Sequence, residues 1–595
     1  MSKILTTIKK IKLIQNYLIQ NKLDGFIQPR ADSYLGEYVP KYDARLEWIS
    51  GFTGSAGAIL ILRKQAILFV DSRYTIQAKN ETKNTGIKVI LSAKQSLEKY
   101  IFLNAKKFKE IGYDPWLHSY SYIKNILNLS IKYKVSFKPL KANPIDIFWS
   151  NDRNISPNSD INVHPLKYAG ISSSRKIKNL CMYLKKLNTE AYIINQPDSL
   201  AWLLNIRGMD LKHTPIILSR AIIFNNGNIY LFIDAARINK KIKNHFKNNI
   251  KIYPEENIIS EIIKISKKKR KILADPDSVS YALIQFIKDK SNNLIETKCP
   301  IDKMKAIKNT IEIKGAFSAH LKDGVALSKF LYWIYKSKTS HNSELLASNT
   351  IDNLRSKQRN FICTSFETIS GFASNGAIVH YRVTKKSNKK FSNNNLFLCD
   401  SGGQYLEGTT DVTRTVAIGK PTKSMKNHFT IVLKGHIALA SAIFPYGTTG
   451  NDLDLLARLP LWKNNMNYGH GTGHGVGSCL SVHEGPHRIS KGSFVPLEPG
   501  MITSNEPGFY LTNKYGIRIE NLMLVKKIKN KNMLAFETLT LAPIDINLIN
   551  YNLLTEEEIN WLNNYHNIVF KNISSELDKQ NKNWLKKVCA PYLKR

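Results

Sequence analysis

A chain of 595 residues with 43% hydrophobic content is too long for one core and implies roughly three or four globular domains. Its formal net charge is +41, from 87 Lys+Arg against 46 Asp+Glu. The lysines are spread among Asn and Ile without a basic tail or an aromatic-interleaved patch, so the charge reads as compositional bias, with non-specific polyanion binding as its most direct consequence and no specific nucleic-acid site implied. Cys181, Cys299, Cys363, Cys399, Cys479 and Cys589 lie far apart with no CxxC pair, which argues against a zinc ribbon or a disulfide framework and for a reducing compartment. No run of about 18 apolar residues occurs, so no membrane span is expected.

In chain order, Met1–Gln20 is basic, with Ile4, Ile8, Ile11 and Tyr17/Leu18 at helical spacing. It is read as an amphipathic helix opening a domain rather than a transit peptide, because arginine is absent and a folded-looking segment follows. Asp24–Pro29 is a short apolar run ended by Pro, followed by Arg45–Gly54 and the strand-like Ala66–Asp71. The same order returns in the helical pattern Ile177–Leu187, then Glu190–Pro197, Ser199–Gly208 and Ile229–Asp234. Leu46/Leu200, Trp48/Trp202 and Gly54/Gly208 occupy matching places, and Leu-Phe-(Val/Ile)-Asp closes both units. Alternating strands and helices predict two related α/β modules, 1–150 and 151–302, with boundaries in Ser150–Asp160 and Lys288–Lys303. Their tryptophans are read as core.

Met304, Ile307, Ile311, Ala316 and Ala319 run into Val325–Leu327 and Phe330–Trp333 at helical spacing, which predicts one helix opening a third domain, 303–548. A second helix is expected over Ser343–Arg355. Leu396–Asp400 then reads as a buried strand ending in a carboxylate, and Glu407–Val416 as a β-branched strand pairing with it across a long loop, which brings Asp400 and Asp411 side by side. Tyr468–Gly477 has Gly at every odd position from Gly469 to Gly477. An interior Gly costs a helix about 1 kcal/mol, so the run is read as extended. His470, Thr472, His474 and Val476 would share one face, with bare backbone on the other for a close neighbour. Ile502–Gly508 and Tyr515–Val525 add Glu506 and Glu520 on neighbouring strands.

Four carboxylates aimed into one interior repel each other, and burying a lone charge is very costly. Two divalent cations resolve the conflict, and one imidazole with water completes an oxygen-rich set. Hard oxygen donors favour Mn2+, with Zn2+ or Co2+ also compatible. Two metals ~3.5–4 Å apart share a hydroxide and polarise a carbonyl. The His-x-x-x-His spacing is no zincin, which needs Glu after the first His and a helix, and no phosphate loop is present.

On Asp400–Thr415, His470–Gly477, Val482–Pro486, Ser504–Gly508 and Gly516–Asn521, the third domain resembles the pita-bread fold of metal-dependent aminopeptidases and prolidases. The chain as a whole resembles the long, three-domain cytosolic form of the Xaa-Pro aminopeptidases (aminopeptidase P). The resemblance implies an α/β (α+β) architecture of two creatinase-like N-terminal modules, a pita-bread catalytic domain and a helical tail, 549–595. It implies metal ligands Asp400, Asp411, His474, Glu506 and Glu520, with Asp411 and Glu520 bridging and Glu506 also handling the proton of the bridging water. By the same resemblance His380, His470 and His483 lie beside the site as catalytic and substrate-binding groups. Arg518, on the Glu520 face, is read as an ion-pair partner that holds a ligand carboxylate. The implied reaction is hydrolysis of the first peptide bond of peptides with proline second, by attack of the bridging hydroxide, in a cytoplasmic homodimer. A dipeptide-restricted prolidase and a non-enzymatic nucleic-acid-binding protein on the same fold are the alternatives.

In the tail, Thr555 and Glu558 form a capping box ahead of an Ile559, Leu562, Tyr565, Val569 stripe, which predicts a helix packing against the third domain.

Overall fold

The computed structural model describes residues 6–149, 152–246, 248–268, 270–290, 293–336, 342–392 and 394–593. Ile4, together with Ser150 and Asn151 in the first expected boundary and Ser291 and Asn292 in the second, lies outside them. The chain divides into two compact units: Met1–Val163, Ser172–Leu211 and Ile216–Ile301 form one, and His164–Ile171, Lys212–Pro215 and Asp302–Arg595 the other.

The first unit contains one sheet design twice. Strands β1 (Gly25–Pro29), β2 (Ala58–Leu62), β3 (Ala66–Val70), β4 (Ile87–Leu91), β5 (Glu110–Tyr113) and β6 (Ser136–Pro139) lie in the order β4-β3-β2-β1-β5-β6. Next along the chain come β7 (Asn162–Val163), β8 (Ala191–Ile194), β9 (Ile206–Arg207), β10 (Arg220–Phe224), β11 (Ile229–Phe232), β12 (Ile250–Tyr253), β13 (Ile272–Ala274) and β14 (Leu294–Glu296). β7 and β9 form a short ribbon, and the others lie in the order β12-β11-β10-β8-β13-β14. Strand polarity also repeats: β1 and β8 are each antiparallel to the next strand on one side and parallel on the other. The recurring Leu-Phe motif falls on β3 and β11, which hold the same place in the two sheets. β3 is buried at all five residues, as a strand covered on both faces requires. Trp48 and Trp202 are core residues. Trp48 stacks on Trp149 at 5.9 Å, and the Lys176 ammonium lies 3.9 Å over Trp202.

The opening helix is Thr7–Gln20, capped by Thr6. Its buried stripe is Ile11, Ile14 and Leu18, whereas Ile8 is 59% exposed. The expected stripe is therefore corrected at one position: on a 3.6-residue helix Leu18 falls between Ile11 and Ile14, and Ile8 falls on the opposite side of Ile11.

In the second unit the single helix expected from Met304 onward is two, Pro300–Ala306 and Thr310–Lys336. Asn309 causes the break. Its Oδ1 accepts from the Ile311 and Glu312 amides at 2.9 and 3.1 Å, and the Glu312 carboxylate accepts from the Asn309 amide at 3.0 Å. This reciprocal capping starts a new helix where apolar spacing alone reads straight through. Helix Glu344–Ser356 is capped by Ser343.

The strands of this unit are β15 (Phe361–Thr364), β16 (Ile369–Phe372), β17 (Asn395–Ser401), β18 (Gly403–Tyr405), β19 (Gly408–Thr409), β20 (Val412–Ile418), β21 (Ile443–Pro445), β22 (Gly473–Gly475), β23 (Glu484–Ile489), β24 (Ile502–Asn505), β25 (Gly508–Leu511), β26 (Tyr515–Arg518), β27 (Asn521–Lys527) and β28 (Met533–Thr538). They form the sheets β21-β28-β27-β24-β22-β23, β16-β17-β20, β15-β18-β19 and β25-β26. β17 and β20 are antiparallel from Asn395↔Ile418 to Ser401↔Val412, and the loop joining them carries β18 and β19. Helices Lys423–Ala440 and Gly450–Trp462 pack on each other, and one core joins Phe330, Phe397, Phe429, Ile517 and Val569. The tail helix Glu556–Ile573 has the expected capping box and buries Ile559, Leu562, Tyr565 and Val569. A further helix, Lys579–Val588, capped by Asp578, was not read from the sequence.

Candidate metal centre

Strand ends deliver the acidic side chains. Asp400 is the penultimate residue of β17, opposite Thr413, and Asp411 immediately precedes β20. Glu506 follows β24 and Glu520 precedes β27, and Asn505↔Asn521 is the pair of that ladder next to both. His474 sits on β22, flanked by β23 and β24. Glycine is required there by close approach: a Cβ on Gly473 would lie 2.0 Å from the Ser504 carbonyl oxygen, and one on Gly475 2.2 Å from that of Glu484.

The extended reading of the glycine run holds only for Gly473–Gly475. Strand pairing begins at Gly473, and the register shifts between His474 and Gly475. His470 lies in a bend, and Thr472 and Val476 are fully buried while His470 and His474 are half-buried. The four side chains therefore do not share one face.

Three overlapping groups of side chains have ligand atoms within 4.8 Å of one another: Asp400, Asp411 and Glu520; His474, Glu506 and Glu520; and Asp411, His474 and His483. His474 Nε2 is 3.5 Å from both Asp411 Oδ2 and Glu506 Oε1. The His483 ring meets the His474 ring edge-to-face at 4.3 Å. His470 and His380 are in none of these groups. His470 Nε2 lies 2.8 Å from Tyr510 Oη. His380 follows Val379, whose carbonyl oxygen accepts from the Arg518 guanidinium at 3.4 Å.

Arg518 is the hub of the polar contacts. It donates to Asp400 Oδ2 at 2.6 Å, Tyr510 Oη at 2.7 Å and Thr413 Oγ1 at 3.1 Å. Thr413 donates in turn to Glu520 Oε2 at 2.8 Å. Ser504 Oγ accepts from the His474 amide at 2.9 Å and donates to Glu506 Oε1 at 3.2 Å, tying two of the grouped residues together. Thr413, Ser504 and Tyr510 escaped the sequence reading. Period-2 alternation does place Thr413 on the Asp411 face, a signal that was present; nothing local marks Tyr510.

Burial, followed by the nearby Asp400 carboxylate, pushes the Asp411 carboxyl well above the usual range. Burial and then Asp411 do the same to Glu520. Burial raises Glu506 to about 6, with His474 the main opposing influence. One guanidinium does not balance four carboxylates. Asp400 Oδ1 is buried without a hydrogen-bond partner, a state that costs about 1–3 kcal/mol when nothing meets the oxygen. Four carboxylates, one imidazole and an unmet buried oxygen make a donor set that fits hard divalent cations.

Residues 317–527 match the model of metallopeptidase family M24. Residues 10–142 and 152–312 each match a creatinase/prolidase N-terminal domain, and 532–592 the C-terminal region of peptidase M24. A protein of Talaromyces marneffei named probable Xaa-Pro aminopeptidase P is 37% identical over 610 residues, covering 98% of this chain and 92% of that one. Its counterpart in Paracoccidioides brasiliensis is 35% identical over 612 residues, covering 98% and 99%. The crystal structure of X-prolyl aminopeptidase from Caenorhabditis elegans, described as a cytosolic enzyme with a di-nuclear active site, superposes with a TM-score of 0.94 at 33% identity over 99% of this chain and 100% of that one.

Proposed function

Because the chain belongs to the Xaa-Pro aminopeptidase P group of metallopeptidase family M24, we propose that it removes the first residue of peptides with proline second, using two divalent ions held by Asp400, Asp411, His474, Glu506 and Glu520. The observation that carries this reading is that two three-residue groups share Glu520. Oxygen-rich donors favour Mn2+, with Zn2+ and Co2+ as compatible alternatives. When bound, two such ions supply an activated water at neutral pH and Lewis-acid polarisation of the scissile carbonyl.

The chain's own residues do the rest. Glu506, raised to about 6, is matched to taking up a proton near neutral pH. Arg518 fixes Asp400 directly and Glu520 through Thr413. His483, against His474, and His380 and His470, near the Arg518–Tyr510 contact, are assigned to binding the substrate and stabilising the developing oxyanion. The Xaa-Pro bond is a tertiary amide without N–H, so a site offering no acceptor there admits it. The reading assigns two N-terminal modules, 1–150 and 151–302, a catalytic domain, 303–548, and a tail, 549–595. A cytoplasmic location is supported by the description of the C. elegans relative; a homodimer rests on family resemblance.

Metal analysis of the purified protein with parallel assays of a Xaa-Pro-Yaa tripeptide and a Xaa-Pro dipeptide tests the proposal. Metal-dependent release of Xaa from the tripeptide is expected. Cleavage of the dipeptide alone would make the protein a prolidase instead, and salt-sensitive nucleic-acid binding without hydrolysis would make it a binding protein.

A further inference from the structure

Arg458, on helix Gly450–Trp462, lies outside every group described above yet grips the chain that carries His470. Its Nε donates to Asp454 Oδ2 at 2.7 Å, one helical turn back. Its Nη1 donates to the Tyr468 carbonyl oxygen at 2.9 Å, and Nη2 to the His470 carbonyl oxygen at 2.8 Å. The guanidinium stacks 4.0 Å from the centre of the Tyr468 ring. The other oxygen of Asp454 accepts from the Thr472 hydroxyl, leaving Thr472 Oγ1 as acceptor for the Tyr468 hydroxyl. The Arg458 and Asp454 side chains are 12% and 6% exposed, so these charge-assisted bonds are shielded from solvent.

The grip falls where the backbone has least stiffness of its own. Gly469 and Gly471 flank His470, and glycine has the widest choice of backbone conformations. Fixing the carbonyls of residues 468 and 470 removes that freedom. His470 Nδ1 faces the Gly471 carbonyl oxygen at 2.8 Å, so Nδ1 carries the proton and Nε2 accepts from the Tyr510 hydroxyl. Tyr510 Oη accepts from Arg518, which holds Asp400. Beyond His470, the Thr472 carbonyl oxygen accepts from the Glu506 amide at 2.8 Å.

We propose that Arg458 is a positioning residue for His470: its planar, three-pronged guanidinium holds the glycine-flanked backbone so that the imidazole meets Tyr510 and faces the substrate. A lysine offers a point charge and cannot make the same three bonds at once. The inference rests on the aminopeptidase reading for its catalytic consequence and on the contacts above for its structural one.

The test is a double-mutant cycle with Arg458→Met, Arg458→Lys, His470→Ala and the Arg458→Met/His470→Ala double variant, each assayed for kcat, KM, bound metal and melting temperature. Arg458→Met is expected to keep both ions and lose about 100-fold in kcat/KM, the scale set by misplacing a reacting group by about 1 Å. Arg458→Lys is expected to recover only part of that loss. In the His470→Ala background the loss on replacing Arg458 should vanish. Equal losses in both backgrounds would overturn the proposal, as would loss of the ions in Arg458→Met. Hydrogen exchange of residues 468–472 in the metal-free protein is an independent arm, and Arg458→Met should speed it. If the parent protein is inert on Xaa-Pro-Yaa peptides, the functional reading falls and exchange decides alone: unchanged protection would overturn the positioning role.

Discussion

The two units treat buried acids in opposite ways. In the first, Asp210 is fully buried and fully answered: Arg237 donates to both its oxygens, at 2.8 and 3.0 Å, and Ser159 and the Leu218 amide complete the set. In the second, Arg518 pairs with Asp400; Asp411 and Glu506 each lie 3.5 Å from the His474 imidazole; Glu520 is met by the Thr413 hydroxyl; and Asp400 Oδ1 has no hydrogen-bond partner. A buried acid met by its own chain is architecture. A group of acids left short of positive charge is a place kept for a ligand.

Substitution should separate the two kinds of carboxylate. The largest effect is expected for Glu520→Ala, which removes a residue that, like Asp411 and His474, belongs to two groups: both ions are lost and turnover falls by about 10³-fold or more, read by metal analysis and peptide hydrolysis. Glu506→Ala is expected to abolish turnover while leaving the first unit folded, as circular dichroism and denaturant titration would report. Undiminished hydrolysis by either variant would remove the metal centre from the account.

Asp210→Ala is the converse experiment. It leaves the Arg237 charge buried and unanswered, at a cost of about 3–5 kcal/mol in stability, with kcat per folded molecule unchanged. Replacing Arg237 by Met as well should recover part of the loss. If the double variant is no more stable than the single one, the ion pair is not what Asp210 supplies.

A smaller effect concerns pH. Glu506 is raised from 4.5 to about 6 in the folded, metal-free protein. The folded state therefore binds this proton more tightly than the unfolded one. The resulting stabilisation is complete below the unfolded value and is lost as pH rises through the window from 4.5 to about 6. Added Mn2+ then replaces the proton, so it should raise the melting temperature of chelated protein more at pH 7 than at pH 5. Equal shifts at the two pH values would assign the proton to another group. Smallest of all, Thr555→Ala removes the cap of the tail helix and should cost about 1 kcal/mol, with metal content unaffected.

Much of the fold was legible because short-range rules decide it. The repeated Leu-Phe-(Val/Ile)-Asp endings, the helix expected over Ser343–Arg355 and the Thr555–Glu558 box each rest on patterns within a few residues, and the structure contains each. Where an apolar stripe competed with a cap, the stripe misled: Asn309 and Glu312 start a helix that spacing alone had already begun. The glycine run misled differently. Its alternation reads as a strand throughout, but pairing begins only at Gly473, on the β23 side, and reaches β24 at Gly475, and upstream the backbone is held by Arg458.

The sequence by itself determined that acids stand at the ends of apolar or alternating strands, because the period of a strand is local and an aspartate after Leu-Phe-Leu-Cys is visible in one line of residues. Only the tertiary structure decided that Asp400, Asp411, Glu506 and Glu520 meet, with His474 between them and His470 turned toward Tyr510. Those contacts join residues up to 120 positions apart, through strand register and the reach of single side chains, and neither quantity is written in the local pattern.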